Sequence, residues 1–244
     1  MSFELIAHRG FPHLYPENSM LGINAAIEAG AKNIEIDIQM SRDNIPMVFH
    51  DDNLKRITGI DEQIYFKSSQ ELKKIAISEK EKFGEKFIDE KLPTLLELVI
   101  YLTNKKDVHL FVELKQESLK HVGVELMVKK VLSVLQPIIN HCVIISYDKE
   151  ALIITRKLAE QAIGLVITDY DQKTKSWSKK HQPEYLFADR EAITKKQMPL
   201  WKGAWKWAFF EYSLSAIKEW VPENVNLIET DNIAALINYQ NSIN

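Results

Sequence analysis

Nine short apolar runs, seven of them with at least one β-branched residue, recur along the chain. They are Leu5-Ile6-Ala7, Ile34-Glu35-Ile36-Asp37-Ile38, Met47-Val48-Phe49, Leu110-Phe111-Val112, Val143-Ile144-Ile145, Leu165-Val166-Ile167, Tyr185-Leu186-Phe187, Trp207-Ala208-Phe209-Phe210 and Leu227-Ile228. Between most of them lie segments with helical spacing of apolar residues: Ser19 to Ala29, Thr94 to Leu102, Ser118 to Leu135 and Lys149 to Leu158. Strands alternating with helices predict βα units and a parallel sheet. One gap breaks the alternation. Met40-Ser41-Arg42-Asp43-Asn44-Ile45 separates Ile34–Gln39 from Pro46–His50, which is too short for a crossover of about a dozen residues. Asp43-Asn44 suits a tight turn, so these two runs are predicted to form a β-hairpin. Eight parallel strands remain, the count of a (β/α)8 TIM barrel, whose usual size is about 250 residues. The chain has 244. The expected fold is therefore α/β: one TIM-barrel domain over residues 1–244, with a β-hairpin after strand 2.

Residues 51–91 fit no βα unit. They are polar and rich in Lys and Glu, and read as a small insertion with one short helix near Gln70–Ile75. The run Glu79-Lys80-Glu81-Lys82 reads as a solvated face. Leu92-Pro93-Thr94 then opens a helix, with Thr94 as N-cap and Glu97 three residues on.

Composition excludes several classes. Lys plus Arg number 31 and Asp plus Glu 34, a net charge of −3, so no basic excess points to nucleic acid or an anionic membrane. Cys142 is the one cysteine, which excludes an intrachain disulfide and a cysteine zinc cluster; at the start of an apolar strand it is expected to be buried and inert. No run reaches the ~18 apolar residues of a membrane span. Met1-Ser2-Phe3-Glu4-Leu5-Ile6-Ala7-His8 has no basic region followed by an apolar core. The expectation is a cytoplasmic protein without an integral membrane segment.

A barrel's active face is built at the ends of its strands. Strand one ends in His8-Arg9-Gly10. Strand two carries Glu35 and Asp37, two residues apart and so on one face. On a half-exposed strand such acids point outward. Facing into a barrel they repel one another and call for a metal ion or basic groups. With the turn centred near Asp43-Asn44, residues whose numbers sum to about 87 face each other, by hairpin register. His50 then returns beside Glu35–Asp37. Glu113 and Lys115 share a face at the end of a third strand, either as a surface salt pair or as a third metal carboxylate with a cation. Oxygen-only ligands suit Mg²⁺ or Ca²⁺ better than Zn²⁺. Arg9 and Lys115 suit phosphate oxygens. His8 and His50 suit an acid and a base. The set fits metal-assisted phosphodiester cleavage.

With these residues in place the chain resembles the glycerophosphodiester phosphodiesterase family. The resemblance rests on Ala7-His8-Arg9-Gly10, Pro16-Glu17-Asn18-Ser19, Glu35-Ile36-Asp37, His50-Asp51-Asp52-Asn53-Leu54, Leu92-Pro93-Thr94-Leu95, Glu113-Leu114-Lys115 and Ser146-Tyr147-Asp148. It implies a barrel with a small insertion after the His-Asp motif. It also implies His8 and His50 as acid/base pair, Glu35, Asp37 and Glu113 as metal ligands, and Arg9 and Lys115 as phosphate-contacting cations. The implied reaction releases sn-glycerol 3-phosphate and an alcohol such as choline or ethanolamine from a small glycerophosphodiester. The C-terminal half departs from the family pattern: at Trp207-Ala208-Phe209-Phe210-Glu211-Tyr212 the expected polar residue of the strand end is missing or replaced, and the closing motif reads Leu227-Ile228-Glu229-Thr230-Asp231-Asn232.

Other positions have plainer readings. Glu17-Asn18-Ser19 either caps a helix or brings Glu17 against Arg9. Trp201, Trp205, Trp207 and Phe209 read as barrel core or rim, one of them bordering a headgroup if that headgroup is a quaternary ammonium. His13, His109, His121, His141 and His181 read as structural or surface residues. Two rival functions use the same barrel: cleavage of lipid phosphodiesters in the manner of a lysophospholipase D, and phosphoester binding without catalysis. The complete His, Arg and carboxylate set argues for catalysis.

Overall fold

The computed structural model describes residues 3–191, 193, 199–210 and 212–243. All nine apolar runs are strands: β1 (Glu4–Ala7), β2 (Asn33–Met40), β3 (Pro46–Val48), β4 (His109–Leu114), β5 (Cys142–Ser146), β6 (Ile163–Ile167), β7 (Tyr185–Asp189), β8 (Lys206–Phe210) and β9 (Leu227–Thr230). They pair in the order β1-β9-β8-β7-β6-β5-β4-β2, and β1 also pairs with β2, so eight parallel strands close into a barrel. β3 runs antiparallel on β2. The helices are α1 (Met20–Glu28), α2 (Lys55–Thr58), α3 (Ser69–Leu72), α4 (Lys80–Phe83), α5 (Leu95–Leu102), α6 (Gln116–Val122), α7 (Val124–Leu135), α8 (Lys149–Ala159), α9 (Gln172–His181), α10 (Leu214–Glu219) and α11 (Ile233–Ile243). Among the described residues no helix is long and apolar enough to cross a membrane.

In seven of the eight barrel strands the two faces go to two apolar cores, and on β2 only the outer face does. On β2, Ile34, Ile36, Ile38 and Met40 join the layer between barrel and helices, where they meet Ile23 and Ala26 of α1. The barrel interior is a smaller cluster of Ile6, Phe111, Val143, Ile145, Val166, Phe187, Ala208 and Leu227. Gly164 makes room there: a Cβ at this position would lie 2.9 Å from Ile145 and 3.1 Å from the Phe187 ring. Each fully buried side chain of this size contributes about 1.5–3 kcal/mol. The apolar plug fills the barrel and leaves its upper end to polar groups.

The hairpin differs from expectation by one residue. Ile38 faces Val48, Gln39 faces Met47 and Met40 faces Pro46, so paired numbers sum to 86. The reason is the loop. Ser41 N donates to Ile45 O (3.1 Å) and Asn44 N to Ser41 O (2.9 Å), while Asn44 has φ +57°. This is a three-residue loop closed by a left-handed residue, centred on Asp43. The expected helix from Ser118 to Leu135 is two helices, α6 and α7, broken at Gly123, whose φ of +91° ends the first. The cap at Thr94 forms as expected, a reciprocal box with Glu97.

The segment 51–91 holds more structure than one helix near Gln70–Ile75. It contains α2, α3, α4 and a 3-10 turn at Ile64–Phe66. Leu54, Ile57, Ile64, Leu72 and Ile77 form a separate apolar cluster with Met47, Phe49 and Leu92. These residues are too widely spaced to show a period, because turns rather than one long helix bring them together. The charge run is not wholly solvated. Glu79 is buried and accepts the Glu17 N–H at 2.6 Å, while Lys82 donates to the Pro12 carbonyl at 2.6 Å. The segment is thereby fastened to the loop after β1.

Candidate active site

The loop after β1 has an unusual backbone. Arg9 and Asn18 both adopt left-handed conformations, with φ +50° and +55°. Gly10, at φ +88°, packs so tightly on α1 that a Cβ would sit 2.9 Å from Ile23 N. His8 N donates to Thr230 O (3.1 Å), which keeps the end of the strand in register. The turn aims Arg9 N at Glu35 Oε2, 3.1 Å away. Asn18 is fully buried and clasps Asp37 twice: its Nδ2 donates to Asp37 Oδ2 (2.9 Å) and its Oδ1 accepts from Asp37 N (3.2 Å). It also donates its own N–H to Arg9 O (2.9 Å).

Glu35 and Asp37 point into the barrel and are 2% and 1% exposed. Parallel pairing sets Asp37 opposite Glu113 on β4. The three carboxylates each offer an oxygen within 4.8 Å of the others, forming a buried acidic group able to hold a metal ion. Burial, with Asp37, Glu229 and Glu113 adding to it, raises the Glu35 pKa well above the ordinary range. Burial raises Glu113 too, against the pull of Lys115. Burial opposes the Asp37 charge as well, yet Arg9, Lys115 and His50 outweigh it and hold Asp37 low. Lys115 Nζ sits 3.0 Å from Glu113 Oε1 and 3.3 Å from Asp37 Oδ1.

Each histidine has its Nδ1 engaged by a carboxylate. His8 Nδ1 is 2.7 Å from Asp231 Oδ1, and His50 Nδ1 is 2.6 Å from Asp51 Oδ1. That leaves Nε2 of both rings for other work. Gln39 Nε2 donates to the His50 carbonyl at 2.9 Å, and Phe49 N donates to Asp37 O at 2.9 Å. The hairpin thus delivers His50 to the carboxylates despite the changed register. Burial and Arg9 oppose a charge on His8, but Glu229 and Asp231 raise its pKa overall.

Arg56 of α2 ties the two halves together. Its Nε and Nη2 donate to Asp51 (2.7 and 2.8 Å), and its Nη1 and Nη2 donate to Glu17 (2.9 and 2.8 Å). Glu17 in turn accepts from Arg9 Nη1 at 3.1 Å, so of its two readings the contact with Arg9 holds. Ser19 beside it caps α1.

A cavity of about 230 Å³ opens among these groups. His8, Arg9, Glu35, His50, Glu113, Lys115 and Glu229 form its charged side, and Ile145, Tyr147, Val166, Phe187 and Phe210 its apolar side. A wider outer cavity of about 690 Å³ shares His8 and Arg9 and runs past His13, Tyr212 and Leu214. All seven site residues expected from sequence therefore converge, six on the cavity wall and Asp37 directly behind it. Trp205, Trp207 and Phe209 are buried in the outer layer, the core position expected of them, and Trp201 stacks on Tyr170 with centroids 3.9 Å apart; none of the four lines the inner cavity. Phe210, the next residue of the strand, faces the site instead. Glu211 lies outside the described residues.

Sequence reasoning gave no chemical role to Asn18, Arg56, Asp231 or Glu229. Asn18 stood there only as a helix-cap candidate, and Asp231 and Glu229 only within the closing motif. Glu229 carried one further signal: it is an acid at the end of an apolar run, as Glu35 is an acid within one. It is 3% exposed. Burial, with Glu113 adding and His8 opposing, pushes its carboxyl up to about 7.

Fold and site together define a class: an α/β barrel of eight parallel strands with a buried acidic group able to hold a cation, and paired histidines at the strand ends. Residues 8–231 match the profile of the glycerophosphoryl diester phosphodiesterase family, and the chain belongs to that family. A glycerophosphodiester phosphodiesterase of Caldanaerobacter subterraneus subsp. tengcongensis is 36% identical over 121 residues, 50% of this chain and 49% of that one. Another, from Bacillus altitudinis, is 30% identical over 165 residues, 68% of this chain and 66% of that one. The match thus spans about half to two thirds of these relatives. An Oleispira antarctica phosphodiesterase, solved in complex with its product sn-glycerol-3-phosphate, superposes with a TM-score of 0.83 at 24% identity, covering 98% of this chain and 96% of that one. It shares the fold.

Proposed function

We propose that the chain hydrolyses small glycerophosphodiesters to sn-glycerol 3-phosphate and an alcohol. One observation carries this reading: two histidines, each held at Nδ1 by a carboxylate, face one cavity with Arg9, Lys115 and the acidic group. The product bound to the Oleispira antarctica relative supports the choice of substrate.

The residues Glu35, Asp37 and Glu113 would hold a divalent cation. Their donors are all oxygens, and Glu35 Oε1 is buried without a hydrogen-bond partner among the described residues. That set fits a hard ion, Mg²⁺ or Ca²⁺. When bound there, such an ion supplies positive charge for the phosphoryl oxygens.

The chain's own groups do the rest. The Arg9 guanidinium and the Lys115 ammonium bind the phosphate; two of the three Lys115 donors can serve Asp37 and Glu113, which leaves one for an incoming oxygen. Positive charge at these positions favours the transition state, in which charge builds on the phosphoryl oxygens. One imidazole removes a proton at Nε2 from the nucleophile, whose oxygen bonds to phosphorus as the P–O bond to the alcohol breaks; the nucleophile is water, or the substrate's own hydroxyl followed by hydrolysis of the cyclic phosphate it forms. The other gives a proton to the departing alkoxide. The carboxylates at Nδ1 fix both tautomers and ring orientations. Ile145, Val166, Phe187 and Phe210 exclude water from one side of the reacting group.

Glu35→Gln tests the assignment. The variant should need a much higher concentration of Mg²⁺ or Ca²⁺ for turnover of glycerophosphocholine; wild-type turnover with no added metal demand would refute the ligand role. Comparing glycerophosphocholine with the corresponding lysolipid tests the substrate. Preference for the soluble diester is expected, and preference for the lipid would move the activity to the lysophospholipase D type.

A further inference from the structure

Glu229 lies on the inner face of β9, 3% exposed. Its Oε1 is buried and has no hydrogen-bond partner among the described residues, and the same holds for Glu35 Oε1. Glu35, Glu229 and a ring nitrogen of His8 offer atoms within 4.8 Å of one another. Glu35 also belongs to the group with Asp37 and Glu113, so Glu229 extends that group across the cavity. Two buried carboxylate oxygens without donors at one site leave the desolvation of both uncompensated. The permanent cations nearby are already engaged: Arg9 with Asp37 and Glu17, Lys115 with Asp37 and Glu113. Four carboxylates thus stand around two fixed cations.

We propose that Glu229 is a fourth carboxylate of the cation site and tunes it toward Ca²⁺. The inference rests on the proposed function only for the presence of a divalent cation. The preference follows from ligand number. Ca²⁺ takes six to eight oxygens in flexible geometry, whereas Mg²⁺ demands a tight octahedron and keeps several waters. An additional carboxylate on a separate strand adds an oxygen ligand and negative charge without enforcing an octahedron.

The experiment is calorimetric titration of the full chain, freed of metal by chelator, with CaCl₂ and with MgCl₂. Wild type, Glu229→Gln and Glu229→Leu are compared, and each is melted in chelator and in saturating CaCl₂. Wild type should bind one Ca²⁺ per chain, more tightly than Mg²⁺. Both variants should bind Ca²⁺ at least tenfold more weakly and lose part of the preference. In chelator the near-isosteric Glu229→Gln should melt no lower than wild type, which shows that it folds, and Ca²⁺ should raise its melting temperature less. Equal Ca²⁺ affinity, within twofold, in wild type and both variants would overturn the role of Glu229 and leave the proposed function standing. No binding of either ion to wild type would overturn both.

Discussion

Replacing Asn18 removes the clasp on Asp37, and the structure separates the loss into parts. In Asn18→Ala the Nδ2 bond to the Asp37 carboxylate disappears, a charge-assisted bond worth about 1.5–3 kcal/mol. The bond from Asp37 N to Asn18 Oδ1 is neutral and worth about 0.5–1.5 kcal/mol. Both Asp37 groups are buried, so water does not replace the lost partners freely. Asn18 also holds φ at +55°, a left-handed conformation that costs an alanine about 1 kcal/mol. The expected destabilisation is about 3–5 kcal/mol. Asn18→Gly loses the same two bonds but meets no steric penalty, so it should be about 1 kcal/mol more stable than Asn18→Ala. At roughly 2–4 °C per kcal/mol for a chain of this length, Asn18→Ala should melt on the order of 10 °C below wild type. Urea unfolding of the three proteins, followed by tryptophan fluorescence, measures both differences. Asn18→Ala within about 1 kcal/mol of wild type would refute the reasoning, as would an alanine variant more stable than the glycine one.

Arg56 is about half exposed and does not line the inner cavity, so its loss should cost stability only about 1 kcal/mol. It orients Asp51, and through it His50, so Arg56→Ala should lower kcat about tenfold with little change in KM, on the scale of misplaced catalytic groups. Arg56→Lys should not restore it, because an ammonium cannot form two forked pairs; full activity of either variant in steady-state kinetics would contradict this. Cys142 is buried, its Sγ 3.4 Å from Ile138 O, and burial pushes its thiol up to about 12. It should resist a thiol reagent at pH 8 in the native protein and react at once in urea, whereas comparable rates in both conditions would show that the strand opens.

Much of the barrel is legible in the sequence because its signals are local. Runs such as Val143-Ile144-Ile145 and Leu165-Val166-Ile167 are too short for helices and too apolar for loops, and the gap at 40–45 permits only a hairpin. The register of that hairpin is less legible, since it depends on whether Asn44 takes a left-handed φ, which Asn tolerates without requiring. The segment 51–91 is hidden for another reason: Leu54, Ile64 and Ile77 meet through turns, and no period records that. At the site, Glu35, Asp37 and Glu113 stand out as acids within apolar strands. Arg56 looks like any surface arginine of a polar segment until α2 folds back over Glu17 and Asp51. Asn18 has the sequence context of a helix cap, although its neighbour Ser19 does the capping.

The most direct test of the proposed function is release of sn-glycerol 3-phosphate from glycerophosphocholine. It is measured with Mg²⁺, with Ca²⁺ and with chelator, on wild type and on His50→Ala. Wild type is expected to release product only with metal, and the variant to be at least a hundredfold slower, the scale of general acid–base catalysis. Release that persists in chelator, or that survives His50→Ala unchanged, would contradict that function.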